Sequence, residues 1–428
     1  METKRKSAKV VVSILALASL VVFSLMVYAG DLEPSAPPGP TMKTLDEVEP
    51  RIAIQSLSSS ATGLYVIDKS GSYYLTGNIF INFKHGIEIT AGNVTVDLMG
   101  YEIRSSWDIK NPGPNLNFDG IYIAPGNDNV EIRNGSIFSN NSTDGGVTYN
   151  GFRYGIYAAD SVGVYCHRTR VIDVRVSGSR EIGIRLRGTN NIVKGCSTEG
   201  NEYGINTRDN SLIVGNTVKG SRLTGILPGN GSTVRGNAST DCLIHGIFGG
   251  ENCIIEDNIV RDNVSMGIVA FPGSIVSGNV VSGNGDNGID TYSNCKLSSN
   301  NVYNNGDKGI TVRDYCTISD NTVYSNNSYG IEAGHDCTVT GNNTSENTSY
   351  GIYCGDGTSL INNTASGNSG GMHTGLGSSV IGNTARSNGI YGLHVSAYCL
   401  VDQNTSTSNT TNIYTGTGCQ VGLNVAPY

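Results

Sequence analysis

Residues 308–341 read KGITVRDYCTISDNTVYSNNSYGIEAGHDCTVTG, and the same letters return in them at one fixed interval. Gly309 is answered by Gly330, Cys316 by Cys337, and Asn321 by Asn342 just past the end, each 21 residues on. Outward in both directions, the glycine of each GI-like triplet falls at Gly183, Gly204, Gly225, Gly246, Gly267, Gly288, Gly309, Gly330, Gly351, Gly371 and Gly392, with Asn412 in the last slot. The step is 21 residues and slips to 20 only at Gly371 and Asn412. A period near 20 without helical patterning implies a solenoid of stacked coils.

Three further columns give the coil its shape. Nine residues past each glycine from Gly204 onward stands an aliphatic residue, such as Ile255, Val276, Leu297 and Ile318, which must face a shared core. Seven past stands a small residue (Ser211, Ser232, Cys253, Ser274, Cys295, Cys316), and twelve past stands Asn in every coil, from Asn216 to Asn424. Stacked Asn side chains hydrogen-bond along the axis while the backbone turns tightly. Each coil therefore reads as three short strands and three turns, with coils about 4.8 Å apart. The predicted fold is all-β: a single-stranded right-handed parallel β-helix of about 21 residues per coil, with a short N-terminal cap around TLDEVEPR. Upstream, Gly86, Gly120 and Gly155 extend the pattern with longer steps that mark inserted loops around 106–118, 141–153 and 162–168. About fifteen coils give a rod roughly 70 Å long.

Composition agrees. With 57 Gly, 11 Pro and 15% charged residues in 428, the chain is turn-dense and β-rich rather than helical or disordered. Residues 1–29, a basic start and a long apolar run ending at Ala29, read as a signal peptide or an N-terminal anchor, and 30–50 as a Pro-rich linker to the β-helix of 51–428. The membrane is met only if that first segment stays uncleaved. Removing it takes four basic residues and one acid, so the net charge goes from −8 to −11, which argues against nucleic acid as a partner. The ten cysteines of an exported chain invite a disulfide reading, yet Cys295, Cys316 and Cys337 share one inward column. Buried thiols are the favoured reading, with Cys399 and Cys419 the best pair for a bridge.

The segment GSYYLTGNIFINFKHGIEITAGNVTVDLMGYEI, followed by repeats such as GIYCGDGTSLINNT, resembles the right-handed β-helix proteins of the pectate-lyase-like superfamily over roughly residues 45–424. The resemblance implies the fold and a secreted carbohydrate-binding or carbohydrate-cleaving role; it names no single activity, because this fold hosts lyases, hydrolases, epimerases, adhesins and tailspikes. The pectin-hydrolase pattern NTD, DD, GHG and RIK and the epimerase DPHE motif are absent.

Chemistry has to sit in the residues that vary. After each GI, alternation sends the residues two and four past the glycine onto one outward face. At its N-terminal end lie Tyr157, Arg185, Arg187 and Arg208, and residues 150–222 hold eleven Lys or Arg against six acids. That suits a carboxylate- or sulfate-bearing ligand, bound by planar guanidinium forks. Trp107, on an inserted loop at this end, is a candidate for stacking on a sugar ring. The middle presents Leu227, Phe248, Val269 and Phe271 as an apolar platform. The C-terminal end carries Arg313, Glu332, Tyr353, His373 and His394, candidates for a cation and base that β-eliminate a uronate. His373 and His394 are neighbours close enough to share a proton or a metal, while Asp290 and Glu332 have the separation of a glycosidase carboxylate pair. No cofactor is expected beyond a calcium ion that acids of the turn column (Asp160, Asp209, Glu251, Asp314, Asp356) could hold between them. The sequence thus points to a secreted, cell-surface or periplasmic protein that binds an acidic extracellular polysaccharide, with cleavage by elimination an open option and glycoside hydrolysis a weaker one. The alternative is a non-catalytic adhesin or filament subunit, a homo-oligomer joined through its C-terminal coil.

Overall fold

A computed structural model of the chain describes residues 51–105, 117–139, 142–144, 147–149 and 151–427. The segments read as signal peptide and linker, and Trp107 with most of its loop, lie outside the described residues.

The 21-residue period becomes a parallel solenoid with three ladders. One sheet of 16 strands, from Gly63–Ile67 to Thr411–Thr415, carries the GI triplets in parallel register. The other two ladders form a 30-stranded sheet, to which a coil gives two short strands, such as Lys296–Ser298 and Asn301–Tyr303, paired with Thr317–Ser319 and Thr322–Tyr324 of the next coil. Two long strands, Val130–Phe138 and Arg170–Ser177, run through both ladders and fuse them. One coil escaped the sequence reading: Gly63–Ile67 pairs with His85–Ile89 but puts Leu64 opposite Gly86, so no GI marks it. The loop around 141–153 holds an antiparallel pair, Ser142–Asp144 with Val147–Tyr149.

Alternation fills the inside. Ile310, Ile318 and Val323, one from each strand of a coil, are all 0% exposed. Glycine opens the GI strand for a steric reason: a Cβ on Gly309 would lie 2.6 Å from the Gly330 carbonyl oxygen and 2.3 Å from Val323 Cγ1. Coils at this spacing leave no room for a methyl group there.

The Asn file is continuous. Asn300 donates from both its backbone N–H and Nδ2 to Asn321 Oδ1 at 2.9 Å, and Asn321 does the same to Asn342 at 3.0 and 2.9 Å. The structure adds a second file that the sequence reading missed, running Asn263, Asn284, Asn305, Asn326, Asn347, Asn368 and on to Asn409. Its signal, Asn seventeen past the glycine, was masked because the same slot holds Ser221 and Cys242 in earlier coils; Cys242 N–H still donates to Asn263 Oδ1 at 3.0 Å. Both files bring buried amides to corners where backbone groups would otherwise lack partners.

Candidate functional site on the GI sheet

The pleat and register of the GI sheet assemble the predicted outward column. Tyr157 pairs with Arg185 and Arg185 with Asn206. Further along, Glu332 pairs with Tyr353, Tyr353 with His373, and His373 with His394. A third column, the residue before each glycine, also lines this face; it contributes Tyr154, His245, Lys308, Tyr329, Tyr350 and Tyr391. The sequence reading overlooked it, although the recurring Tyr-Gly pairs carried the signal.

At the N-terminal end the arginines are engaged with aromatic rings and acids. The Arg185 guanidinium donates to the Tyr154 hydroxyl and lies 5.0 Å from that ring and 5.7 Å from the Tyr157 ring. Arg153 covers the Tyr154 ring at 4.3 Å, and Arg208 covers Tyr165 at 5.1 Å. Arg187 pairs with Asp160 at 3.1 Å, and the Tyr157 hydroxyl donates to the same carboxylate at 3.2 Å. Burial alone would raise the Asp160 carboxyl, but Arg187 and Tyr157 outweigh it and hold it below the usual range. An open cavity of about 500 Å³ is lined here by Arg185, Arg187, Asn206 and Leu227, with Glu181 and Glu202 among them. The basic patch is thus interleaved with acids, and Arg187 is already half-spent on one of them.

Beneath this end lies a buried group that no motif announced. Asp119 is 0% exposed; it accepts from Tyr154 N–H at 3.1 Å, with Arg153 Nε at 3.6 Å and His85 Nδ1 at 3.4 Å. Burial pushes its carboxyl up to about 7 despite Arg153, and burial pushes His85 down to about 4. His85 Nδ1 accepts from the Asp119 N–H at 3.0 Å, which requires that nitrogen to be unprotonated.

In the middle, the apolar platform is narrower than expected. Val269 is only 5% exposed. Phe271 packs face to face with Tyr292 at 4.6 Å and meets the Phe248 edge at 5.5 Å. These rings stack on one another along the rod, so the inner ones offer edges rather than free faces to a ligand.

The C-terminal end forms a recess of about 500 Å³ lined by Arg313, Glu332, His335, Tyr353, Asp356 and His373. Tyr353 and His373 stack at 4.4 Å with their planes 7° apart, and the His373 and His394 rings are 4.9 Å apart. Tyr350 Oη lies 3.2 Å from His394 Nδ1, and Tyr391 stacks on that ring at 4.6 Å. Burial lowers His373, His394 lowers it further, and burial lowers His394, so both imidazoles are neutral near pH 7. Arg313 is exposed and makes no ion pair among the described residues. Glu332 is held by Lys308 at 2.6 Å, while Asp290 is buried and accepts from Asn287 at 3.1 Å. The candidate glycosidase carboxylates are each engaged with a neighbour.

The acids of the turn column are coil-to-coil staples. Asp314 Oδ1 accepts from His335 N–H at 2.8 Å, His335 Nδ1 from Asp356 N–H at 3.0 Å, and Asp356 Oδ1 from Leu376 N–H at 2.7 Å. All ten cysteines are free thiols, Cys399 and Cys419 included. Among the described residues no three His, Cys, Asp or Glu side chains converge as a metal site.

Comparison with known proteins settles the handedness. Residues 154–296 match the family described as right handed beta helix region, and residues 272–420 the family described as periplasmic copper-binding protein (NosD). The fold of the chain is a right-handed parallel β-helix. Among solved structures it is similar to a tailspike protein mutant of E. coli bacteriophage HK620 in complex with pentasaccharide, with a TM-score of 0.55 at 13% identity, covering 90% of this chain and 83% of that one. The A-module of an Azotobacter vinelandii mannuronan C-5 epimerase matches at a TM-score of 0.43 and 13% identity, covering 87% of this chain and 99% of that one. No curated protein sequence matches the chain.

Proposed function

We propose that this β-helix binds an acidic polysaccharide laid along its GI sheet. One observation carries the reading: a single face of the rod is lined by aromatic and basic side chains, from Tyr154, Arg185 and Arg208, through Phe248 and Phe271, to Tyr353, His373 and His394. Guanidinium forks recognise carboxylates and sulfates, and the aromatic side chains beside them supply apolar surface for a sugar ring. The tailspike likeness, a protein solved with a pentasaccharide, supports the same use of the fold. An exported or periplasmic location goes with it and rests on residues 1–29 and on the NosD family description.

The C-terminal recess has the groups for β-elimination: the exposed Arg313 to neutralise a uronate carboxylate, and the neutral His373 beside Tyr353 to take the ring proton. Affinity electrophoresis through alginate, pectate and sulfated glycans tests binding. Retardation by one glycan, lost in Arg185→Ala with Arg208→Ala, is expected; no retardation by any of them sinks the reading. The same mixtures followed for the absorbance of unsaturated uronate ends test elimination, which fails if parent and His373→Ala are equally silent.

The match of residues 272–420 to a copper-binding family favours a second reading, that this segment also holds copper. Its donor set fits: Cys295, Cys316, Cys337, Cys399 and Cys419 occupy one column of soft thiols, the ligand class that selects Cu(I).

A further inference from the structure

Within the copper reading, on which this inference rests, the column seven residues past each glycine carries the site. One backbone arrangement recurs along it. Cys295 N–H donates to Cys316 Sγ and Cys316 N–H to Cys337 Sγ, both at 3.4 Å, and Cys399 N–H donates to Cys419 Sγ at 3.4 Å. Each thiol also reaches back to a carbonyl oxygen of the preceding coil: Cys316 to Tyr292 at 3.3 Å, Cys337 to Arg313 at 3.3 Å, Cys399 to Gly375 at 3.3 Å.

Coil spacing decides what two such thiols can share. Equivalent atoms on successive coils lie about 4.8 Å apart. A disulfide needs its Cβ atoms at about 3.8 Å, so bridging would pull two coils together by roughly an ångström. A two-coordinate S–metal–S unit needs about twice a metal–sulfur bond of roughly 2.3 Å, which is the coil spacing itself. Higher coordination has no donors, since no third His, Cys, Asp or Glu joins any pair among the described residues.

We propose that Cys316 with Cys295 or Cys337, and Cys399 with Cys419, each clasp one soft monovalent cation, Cu(I) or Ag(I), in two-coordinate thiolate linkage between adjacent coils. Binding exchanges two thiol protons for one cation and leaves a single negative charge on the pair. The N–H groups aimed at Cys316, Cys337 and Cys419 Sγ partly neutralise that charge, a stabilisation that buried anions require. The route in is short, because Asn294, Tyr315 and Tyr398, one residue before Cys295, Cys316 and Cys399, are exposed.

The fold supplies its own control. Ser211, Ser232, Ser274 and Ser378 fill the same slot, and Ser211 N–H donates to Ser232 Oγ at 3.1 Å as cysteine N–H does to sulfur. Cys316→Ser with Cys399→Ser should therefore fold as the parent does while breaking both clasps, because Cys295 and Cys337 are left two coils, about 9.6 Å, apart. The full chain, reduced and refolded anaerobically with Cu(I), would compete against a chromophoric Cu(I) chelator, with X-ray absorption reporting the first shell. Expected are one Cu(I) retained per clasp, a shell of two sulfurs, and loss of both ions in the double variant at unchanged thermal unfolding. Retention by the double variant, or a nitrogen-containing shell lost instead in His373→Ala with His394→Ala, overturns the thiol site while leaving copper binding standing. Failure of the parent to withhold any Cu(I) overturns both.

Discussion

Asn321→Ala tests the principle on which the rod stands. Asn321 Oδ1 accepts Asn300 N–H and Nδ2, each at 2.9 Å, and Asn321 Nδ2 donates to Asn342 Oδ1 at 2.9 Å and to the Leu297 carbonyl at 3.3 Å. Truncation does not cost all four equally. Asn300 Nδ2 keeps the Val276 carbonyl at 2.9 Å, and Asn342 Oδ1 keeps Asn321 N–H at 3.0 Å. The Asn300 N–H, however, loses its acceptor at a site where Asn300 is 1% exposed. One orphaned buried donor costs about 1–3 kcal/mol, and the shared bonds add roughly another one, so the loss should be about 2–4 kcal/mol. Because a solenoid's stability is a sum of coil and nearest-neighbour terms, the damage should be local. Urea unfolding gives the total, and hydrogen exchange should show protection falling at the coils around 297–342 while those near 90 and 180 keep theirs. Asn343→Ala, one residue past Asn342 of the same file but exposed, should change stability by less than about 0.5 kcal/mol. A loss under about 1 kcal/mol for Asn321→Ala, or uniform deprotection along the rod, would refute the argument that these amides bind coil to coil.

Three further outcomes follow from the same geometry. Gly309→Ala, whose methyl would meet the Gly330 carbonyl at 2.6 Å, should cost about 3 kcal/mol by overpacking, whereas Gly200→Ala, at φ +66 with nothing within 4 Å, should cost only about 1 kcal/mol in urea unfolding. His85, lowered to about 4 from 6.5, contributes stability present above about pH 6.5 and lost as pH falls toward 4, since the unfolded chain takes the proton first; Asp119, raised to about 7, runs the opposite way and favours the fold at low pH. His85→Gln should therefore lose less stability than the parent between pH 7 and pH 4, and equal slopes would refute the assignment. Lys308→Met removes the 2.6 Å partner of Glu332 and leaves that carboxylate bare on the GI face, so retardation by an acidic glycan should weaken, most at low salt; unchanged mobility would place the ligand elsewhere.

The sequence by itself determined the coil. A fixed 21-residue offset with Gly, aliphatic and Asn columns leaves one arrangement in which every column is buried or hydrogen-bonded, so Gly309, Ile318 and Asn321 could be given inward or corner places from letters alone. It also gave the outward column from Tyr157 to His394, because strand alternation is a local property. The tertiary structure decided what that column touches. Arg187 is shared with Asp160 of the preceding coil, Val269 is buried, and the residues before each glycine, Tyr154, Lys308 and Tyr350, turn onto the same face as Arg185, Glu332 and His394. Those contacts join residues of different coils or lie across irregular steps, and their distances depend on side-chain length and turn angle. A repeat period records which storey a residue occupies, but it does not record how far its side chain reaches around the corner.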